Sequence, residues 1–266
     1  MKIGFIGTGN MGGALARAAA KGGHTLLLAN RTPAKAAALA KELGGTVCPN
    51  AEAAETAELL FLGVKPQGLP GLAGELAPVL QARKGNAPVV VSMATAVTLR
   101  ELDAMLGGGL PLIRIMPNTP AAVGAGTILY AAQNVTDAQL SAFRAVLAQA
   151  GLLLPLPEEK IDAASAISGC GPAFCFQFAD ALALGGVRAG LSYPDACRLA
   201  AQTMLGAAEM LLQGGEAPDV LKMRVCSPAG TTIEGVLALE QGGFSYTVQN
   251  AVTAAYRRTV DMTKKG

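Results

Sequence analysis

Lys2-Ile3-Gly4-Phe5-Ile6-Gly7-Thr8-Gly9-Asn10-Met11-Gly12 stands directly after the first methionine, and its reading decides the fold. The run from Lys2 to Ile6 is short and apolar, as a strand buried on both faces of a parallel sheet is. Gly7-Thr8-Gly9-Asn10-Met11-Gly12 matches G-x-G-x-x-G, follows that strand and opens a helix expected over residues 11–21. In this context the first glycine allows a tight turn, the second lets the backbone approach a pyrophosphate, and the third lets helix and strand pack closely. N–H groups left free at a helix start bind phosphate. The spacing therefore predicts dinucleotide binding.

Outward from this loop, short apolar runs alternate with alanine-rich helical stretches. Strands are expected at Thr25–Ala29, Leu59–Leu62, 88–91, 111–115, 127–131 and 152–156, with helices over Pro33–Leu43, 99–106 and 137–149. Thr32-Pro33 reads as an N-cap followed by proline at the first helical position. This alternation predicts an α/β fold, an N-terminal Rossmann-type doubly wound sheet. Past Leu154-Pro155-Leu156-Pro157 no strand pattern remains. Ala200, Met204, Ala207 and Leu211 fall at helical spacing within a helix over 194–212, and 158–187, 230–239 and Phe244–Thr263 also read as helices. The expected domains are 1–156, which binds the dinucleotide, and 157–266, all-helical. Helices apolar nearly all round bury more than one face, so this second half is expected to form a homodimer.

Composition excludes other classes. Of 266 residues, 51% are hydrophobic and 15% charged, which rules out disorder. Lys and Arg total 21 against 19 acids, net +2, too balanced for a nucleic-acid binder. The most apolar window, residues 121–132, contains two glycines and is too short to span a bilayer, so no membrane span is expected. Lys2 and the run after it weakly resemble a signal peptide, but Gly7, Gly9 and Asn10 interrupt it, so a cytoplasmic location is expected. Cys48, Cys170, Cys175, Cys197 and Cys226 form no C-x-x-C pair, and His24 is the sole histidine. Neither a disulfide framework nor a metal site is expected.

The end of the second strand speaks to the cofactor. Asn30-Arg31-Thr32 follows Ala29, where an NAD site would place Asp or Glu for the ribose 2′-hydroxyl. Arg31 instead offers a planar cation that suits a 2′-phosphate. NADPH is the expected cofactor, with NADH as the alternative. Val64-Lys65-Pro66, Met93-Ala94-Thr95 and Met116-Pro117-Asn118 each follow the carboxyl end of an expected strand, where ligands of open sheets sit.

Arg114-Ile115-Met116-Pro117-Asn118-Thr119-Pro120, Ser168-Gly169-Cys170-Gly171-Pro172-Ala173 and Ser227-Pro228-Ala229-Gly230-Thr231-Thr232 occur in this order after the glycine loop. Together these segments resemble the pyrroline-5-carboxylate reductases, over almost the whole chain. The resemblance implies reduction of 1-pyrroline-5-carboxylate to L-proline with NAD(P)H, the last step of proline synthesis. It implies interleaved helical domains in a dimer, and further assembly of dimers. Its cofactor site would comprise Gly7, Thr8, Gly9, Asn10, Met11, Gly12, Asn30, Arg31, Asn50, Val64, Lys65, Pro66, Met93, Ala94, Thr95 and Asn118. The substrate carboxylate would lie on the turn of Ser227, Gly230, Thr231 and Thr232, with the Thr232 hydroxyl on the ring nitrogen and Glu158 nearby. This chain departs from the family in having Cys170 for serine, Ala229 for glycine, and Ala94-Thr95-Ala96 where Ala-Ala-Gly is usual. A left-handed Ala229 would cost about 1 kcal/mol or more.

The chemistry fits a chain with so few acids of suitable pKa. Reducing a carbonyl needs a proton donor for the developing alkoxide, commonly histidine or lysine. A protonated cyclic imine is already electrophilic and needs mainly to be positioned. The β-hydroxyacid dehydrogenases share the two-domain layout but carry a catalytic lysine after their Gly-x-Gly; Cys175 stands at that place here.

Overall fold

The structure, a computed structural model, describes residues 1–83 and 85–263. Among these residues eight strands form one sheet: β1 (Lys2–Ile6), β2 (Thr25–Ala29), β3 (Thr46–Val47), β4 (Leu59–Leu62), β5 (Val89–Ser92), β6 (Leu112–Pro117), β7 (Gly126–Gln133) and β8 (Gly151–Pro155). Their order is β3-β2-β1-β4-β5-β6-β7-β8. Among the described residues only the β6–β7 pairing is antiparallel. The order reverses between β1 and β4, the switch point at which doubly wound sheets bind ligands.

Helices cover both faces because the central strands are apolar on both. On one side α1 (Asn10–Ala20), α2 (Pro33–Leu43) and α6 (Asp137–Leu147) bury Leu15, Leu39 and Phe143 against Phe5 and Phe61. Those two phenylalanine rings stack 4.6 Å apart on adjacent strands. On the other side α3 (Asn50–Thr56), α4 (Leu69–Ala82) and α5 (Leu99–Met105) bury Ala53, Leu76 and Leu102. Thr32 stands at the α2 N-cap with Pro33 after it, but its hydroxyl makes no capping bond.

Periodicity predicts no element over 50–56 or 69–82, where the structure has α3 and α4. Pro70, Gly71, Gly74 and Pro78 mark α4 as loop by composition. It is a helix because Leu69, Leu72, Ala73, Leu76 and Leu80 make one buried face. The helix expected over 158–187 is two: α7 (Glu158–Ser168) and α8 (Gly171–Arg188). Pro172 cannot donate to the carbonyl of Ser168, and its ring would press on it.

By packing, the chain divides into residues 1–169 with the chain end from Tyr256, and residues 170–255. The first unit thus runs beyond the expected boundary at 156, because α7 lies against β6 and β7. The second holds α8, α9 (Tyr193–Gly214), α10 (Pro218–Arg224), α11 (Thr231–Gln241) and most of α12 (Phe244–Thr263). Its buried apolar residues among those described are three alanines, Ala183, Ala196 and Ala200. Phe176, Leu212 and Tyr246 are 70%, 80% and 71% exposed, and leucines line α8 and α9 in the open. By length and composition Glu158–Arg188 could cross a membrane. Its first third is nevertheless fixed to the sheet by two acids on Arg114.

Candidate active site

The glycine loop is built by close approach of two strand ends. Gly7 N–H donates to Ala29 O (2.8 Å), and Gly63 N–H to Ile6 O (2.7 Å). Gly7 has φ +97°, and a Cβ there would lie 2.6 Å from Gly63 O. A Cβ on Gly12 would overlap the Gly7 carbonyl, so strand and helix meet only through glycine. At Gly9 a Cβ would meet nothing within 4 Å. The protein itself therefore does not require that glycine; a group laid across the loop would.

The first turn of α1 carries no side-chain cap and no acid. Its N–H groups and helix dipole thus favour an anion. The Thr8 hydroxyl is buried at this loop without a hydrogen-bond partner. An open cradle, an uncapped helix start and an orphaned hydroxyl fit a pyrophosphate.

Beside the loop lies a cleft of about 1040 Å³. Gly7, Asn30, Arg31, Asn50, Val64 and Lys65 line it, all expected from sequence. Arg31 and Lys65 are exposed cations, and the cleft suits a phosphorylated ribose. Asn30 Nδ2 donates to Thr32 O (3.1 Å), bracing the β2 end that carries Arg31. Cys48, Gln67 and Glu75 also line the cleft and were not expected. Glu75 Oε2 accepts from Asn50 Nδ2 at 3.0 Å. Because a carboxylate only accepts, it fixes which end of the Asn50 amide faces α4. Burial pushes the Cys48 thiol pKa up, so it stays protonated. No sequence signal pointed to Glu75, which depends on α4 forming.

Thr8, Gly9, Asn10, Met11, Gly12, Pro66, Met93, Ala94, Thr95 and Asn118 do not line this cleft. The first five belong to the glycine loop, and Pro66 opens the 3-10 turn Pro66–Gly68. Met93, Ala94 and Thr95 follow β5, and Ala96 beyond them has φ +61°. Asn118 is engaged at both ends of its amide. Nδ2 donates to Ser168 O and Oδ1 accepts from Thr127 N–H, each at 2.8 Å. It ties the end of β6 to β7 and to the last turn of α7.

Glu158 is also engaged. Its Oε1 accepts from Leu99 N–H at 2.7 Å and from Arg114 Nη1 at 3.3 Å. Arg114, 3% exposed, also donates to Asp162 Oδ1 at 2.6 Å.

In the second unit, residues 227–232 make a turn leading into α11. Gly230 N–H donates to Ser227 O (3.0 Å), and a Cβ on Gly230 would overlap the Ser227 hydroxyl. Ala229 has φ +56°. Gly230 is the N-cap with no side-chain capping bond, and Thr231 and Thr232 are exposed on the first turn. Free N–H groups with hydroxyls beside them suit a carboxylate.

The chain is similar to known proteins along both units. Residues 158–262 match the model for pyrroline-5-carboxylate reductase dimerisation, and residues 2–96 match that for NADP oxidoreductase, coenzyme F420-dependent. A pyrroline-5-carboxylate reductase from Synechocystis is 42% identical over 81% of this chain and 79% of its own. The pyrroline carboxylate reductase structure from Plasmodium falciparum, with NADP bound, covers 99% of this chain and 98% of its own at 30% identity and TM-score 0.86. One from Coxiella burnetii covers 97% of both chains at 30% identity and TM-score 0.90.

The chain belongs to the pyrroline-5-carboxylate reductase family.

Two of the positions at which the resemblance implies glycine have left-handed backbone here. Ala96 and Ala229 both hold the left-handed conformation that glycine adopts without penalty. The dimerisation match also covers the helices whose apolar faces stand open in one protomer.

Proposed function

We propose that this chain reduces 1-pyrroline-5-carboxylate to L-proline, with NADPH as donor and NADH as a weaker alternative. The observation that carries the reading is likeness to reductases of that name along both units, at up to 42% identity. Cofactor binding is assigned to residues 1–156, and substrate binding and dimerisation to 157–266. The α1 start with Thr8 takes the pyrophosphate, Arg31 the 2′-phosphate, and Asn50, Val64 and Lys65 the rest of the cleft. Met93, Ala94 and Thr95 serve the nicotinamide end.

When bound, NADPH supplies the hydride that the electrophilic imine carbon accepts. The chain's own task is positioning. The turn of Ser227, Gly230 and Thr231 holds the substrate carboxylate by N–H and hydroxyl donors at the start of α11. Thr232 orients the ring nitrogen through its hydroxyl, which is too weak an acid to donate its proton outright. The working form is a homodimer, and dimers assemble further. A cytoplasmic location suits a chain whose five cysteines are all free.

The assignment of Thr232 is tested by Thr232→Val, which keeps the shape and deletes the hydroxyl. Removing one neutral hydrogen bond costs about 0.5–1.5 kcal/mol, and mispositioning adds to that. We expect kcat/KM for pyrroline-5-carboxylate to fall about tenfold with NADPH affinity unchanged, and Thr232→Ser to retain most activity. Wild-type rates in the valine variant would reduce Thr232 to a surface residue of α11.

A further inference from the structure

We infer that Glu158 is a positioning residue, which anchors the segment after β5 and so fixes the nicotinamide end of the cofactor site. The inference rests on the proposed reductase activity. Three observations carry it. Glu158 Oε1 accepts from the backbone N–H of Leu99, the first residue of α5, at 2.7 Å, across 59 residues of sequence. That N–H is one of the orphan donors of a helix start, so the carboxylate serves as a cap supplied from another element. The same oxygen receives Arg114 Nη1 at 3.3 Å, and Arg114 is 3% exposed and also held by Asp162. The anchor is therefore rooted in β6, an interior strand of the sheet.

The segment it holds is short and bent. Ser92 ends β5, Thr98 caps α5, and between them Ala96 sits at φ +61°. The cap of α5 is doubled: Thr98 and Glu101 form a reciprocal capping box, and Glu158 adds the Leu99 bond from outside. A left-handed alanine persists only where its surroundings over-determine it. Here both ends of the bend are pinned, one by the β5 ladder and the other by this cluster. Both bonds to Glu158 fall on Oε1 and come from groups inside the fold, and its effect on the reaction passes through the bend.

The test removes the donor rather than the acid. Leu99 is the first helical residue, where proline is accepted, and Thr98 before it is already extended (φ −80°, ψ 161°). Leu99→Pro deletes the N–H. Leu99→Ala truncates the same buried side chain but keeps the N–H, and is the reference. We expect Leu99→Pro to lower kcat about tenfold against Leu99→Ala. Amide hydrogen exchange over residues 93–97 should be faster in the proline variant, while direct NADPH binding changes less than kcat. Glu158→Gln keeps an oxygen for Leu99 and should retain more than about a third of the activity, with its pH profile unaltered.

Equal kcat and equal exchange in Leu99→Pro and Leu99→Ala would overturn the inference. So would a Glu158→Gln variant with an unchanged bend that lost activity or one limb of its pH profile, since Glu158 would then act by its proton. Failure of the wild-type chain to turn over pyrroline-5-carboxylate would sink the function instead, and the exchange comparison would still decide whether the anchor exists.

Discussion

Ala229 (φ +56°) and Ala96 (φ +61°) are the residues at which this chain accepts backbone strain beside its proposed ligands. A left-handed alanine costs roughly 1–2 kcal/mol, while glycine adds unfolded-state entropy worth roughly 0.4–1 kcal/mol. The difference favours glycine slightly. Ala229→Gly should raise stability by up to about 1 kcal/mol, whereas Ala229→Val should lower it by about 1–3 kcal/mol, read from denaturant midpoints. A valine variant as stable as wild type would contradict the left-handed turn. Arg31 belongs to the same scale. Its phosphate contact would be charge-assisted, but the side chain is exposed and screened, so about tenfold is expected rather than a hundredfold. Arg31→Ala should weaken NADPH by that factor and leave NADH nearly unchanged in a direct titration. Residues near the glycine loop in sequence or at strand ends were legible because local spacing places them. Glu75 was not, since only the packing of α4 brings it to Asn50. For Asn118 and Glu158 the resemblance marked the positions, but only the folded chain supplies their partners, Ser168, Thr127, Leu99 and Arg114.

At the scale of elements, the strands were legible because each buried run is short, apolar and ended by a turn residue. The two short early elements, β3 and α3, lack a repeat long enough to read. In α4, Pro and Gly suppress the helix signal, and tertiary burial of five side chains overrides it. The start of α5 allows a test by pH. Thr98 N–H and hydroxyl both donate to the Glu101 carboxylate, and these bonds hold its pKa below the usual carboxylate value. A depressed folded pKa gives stability that is present above the unfolded pKa and is lost as pH falls through the folded one. Glu101→Gln keeps the capping box but removes the titration. Melts taken from neutrality down through the carboxylate range should therefore fall less steeply with acid in this variant. An unaltered acid slope would mean that Glu101 contributes nothing to it.

At the scale of the whole molecule, the second unit is unusual in what it leaves open. With three alanines as its buried apolar residues among those described, it gains little from burial within one protomer. Helices apolar nearly all round already pointed to a subunit interface in this half, and the dimerisation match covers the same helices. A homodimer should bury more than about 2,000 Å² there, as obligate dimers do. Light scattering at working concentration should find no monomer, and an active monomer would contradict the account. The reaction itself decides most directly. The purified chain, given NADPH, should lose the nicotinamide absorbance on addition of 1-pyrroline-5-carboxylate and form L-proline in equal amount. It should leave NADP unreduced in the presence of a 3-hydroxy acid. No proline formed by a folded, NADPH-binding dimer, or comparable turnover of the 3-hydroxy acid, would contradict the central claim.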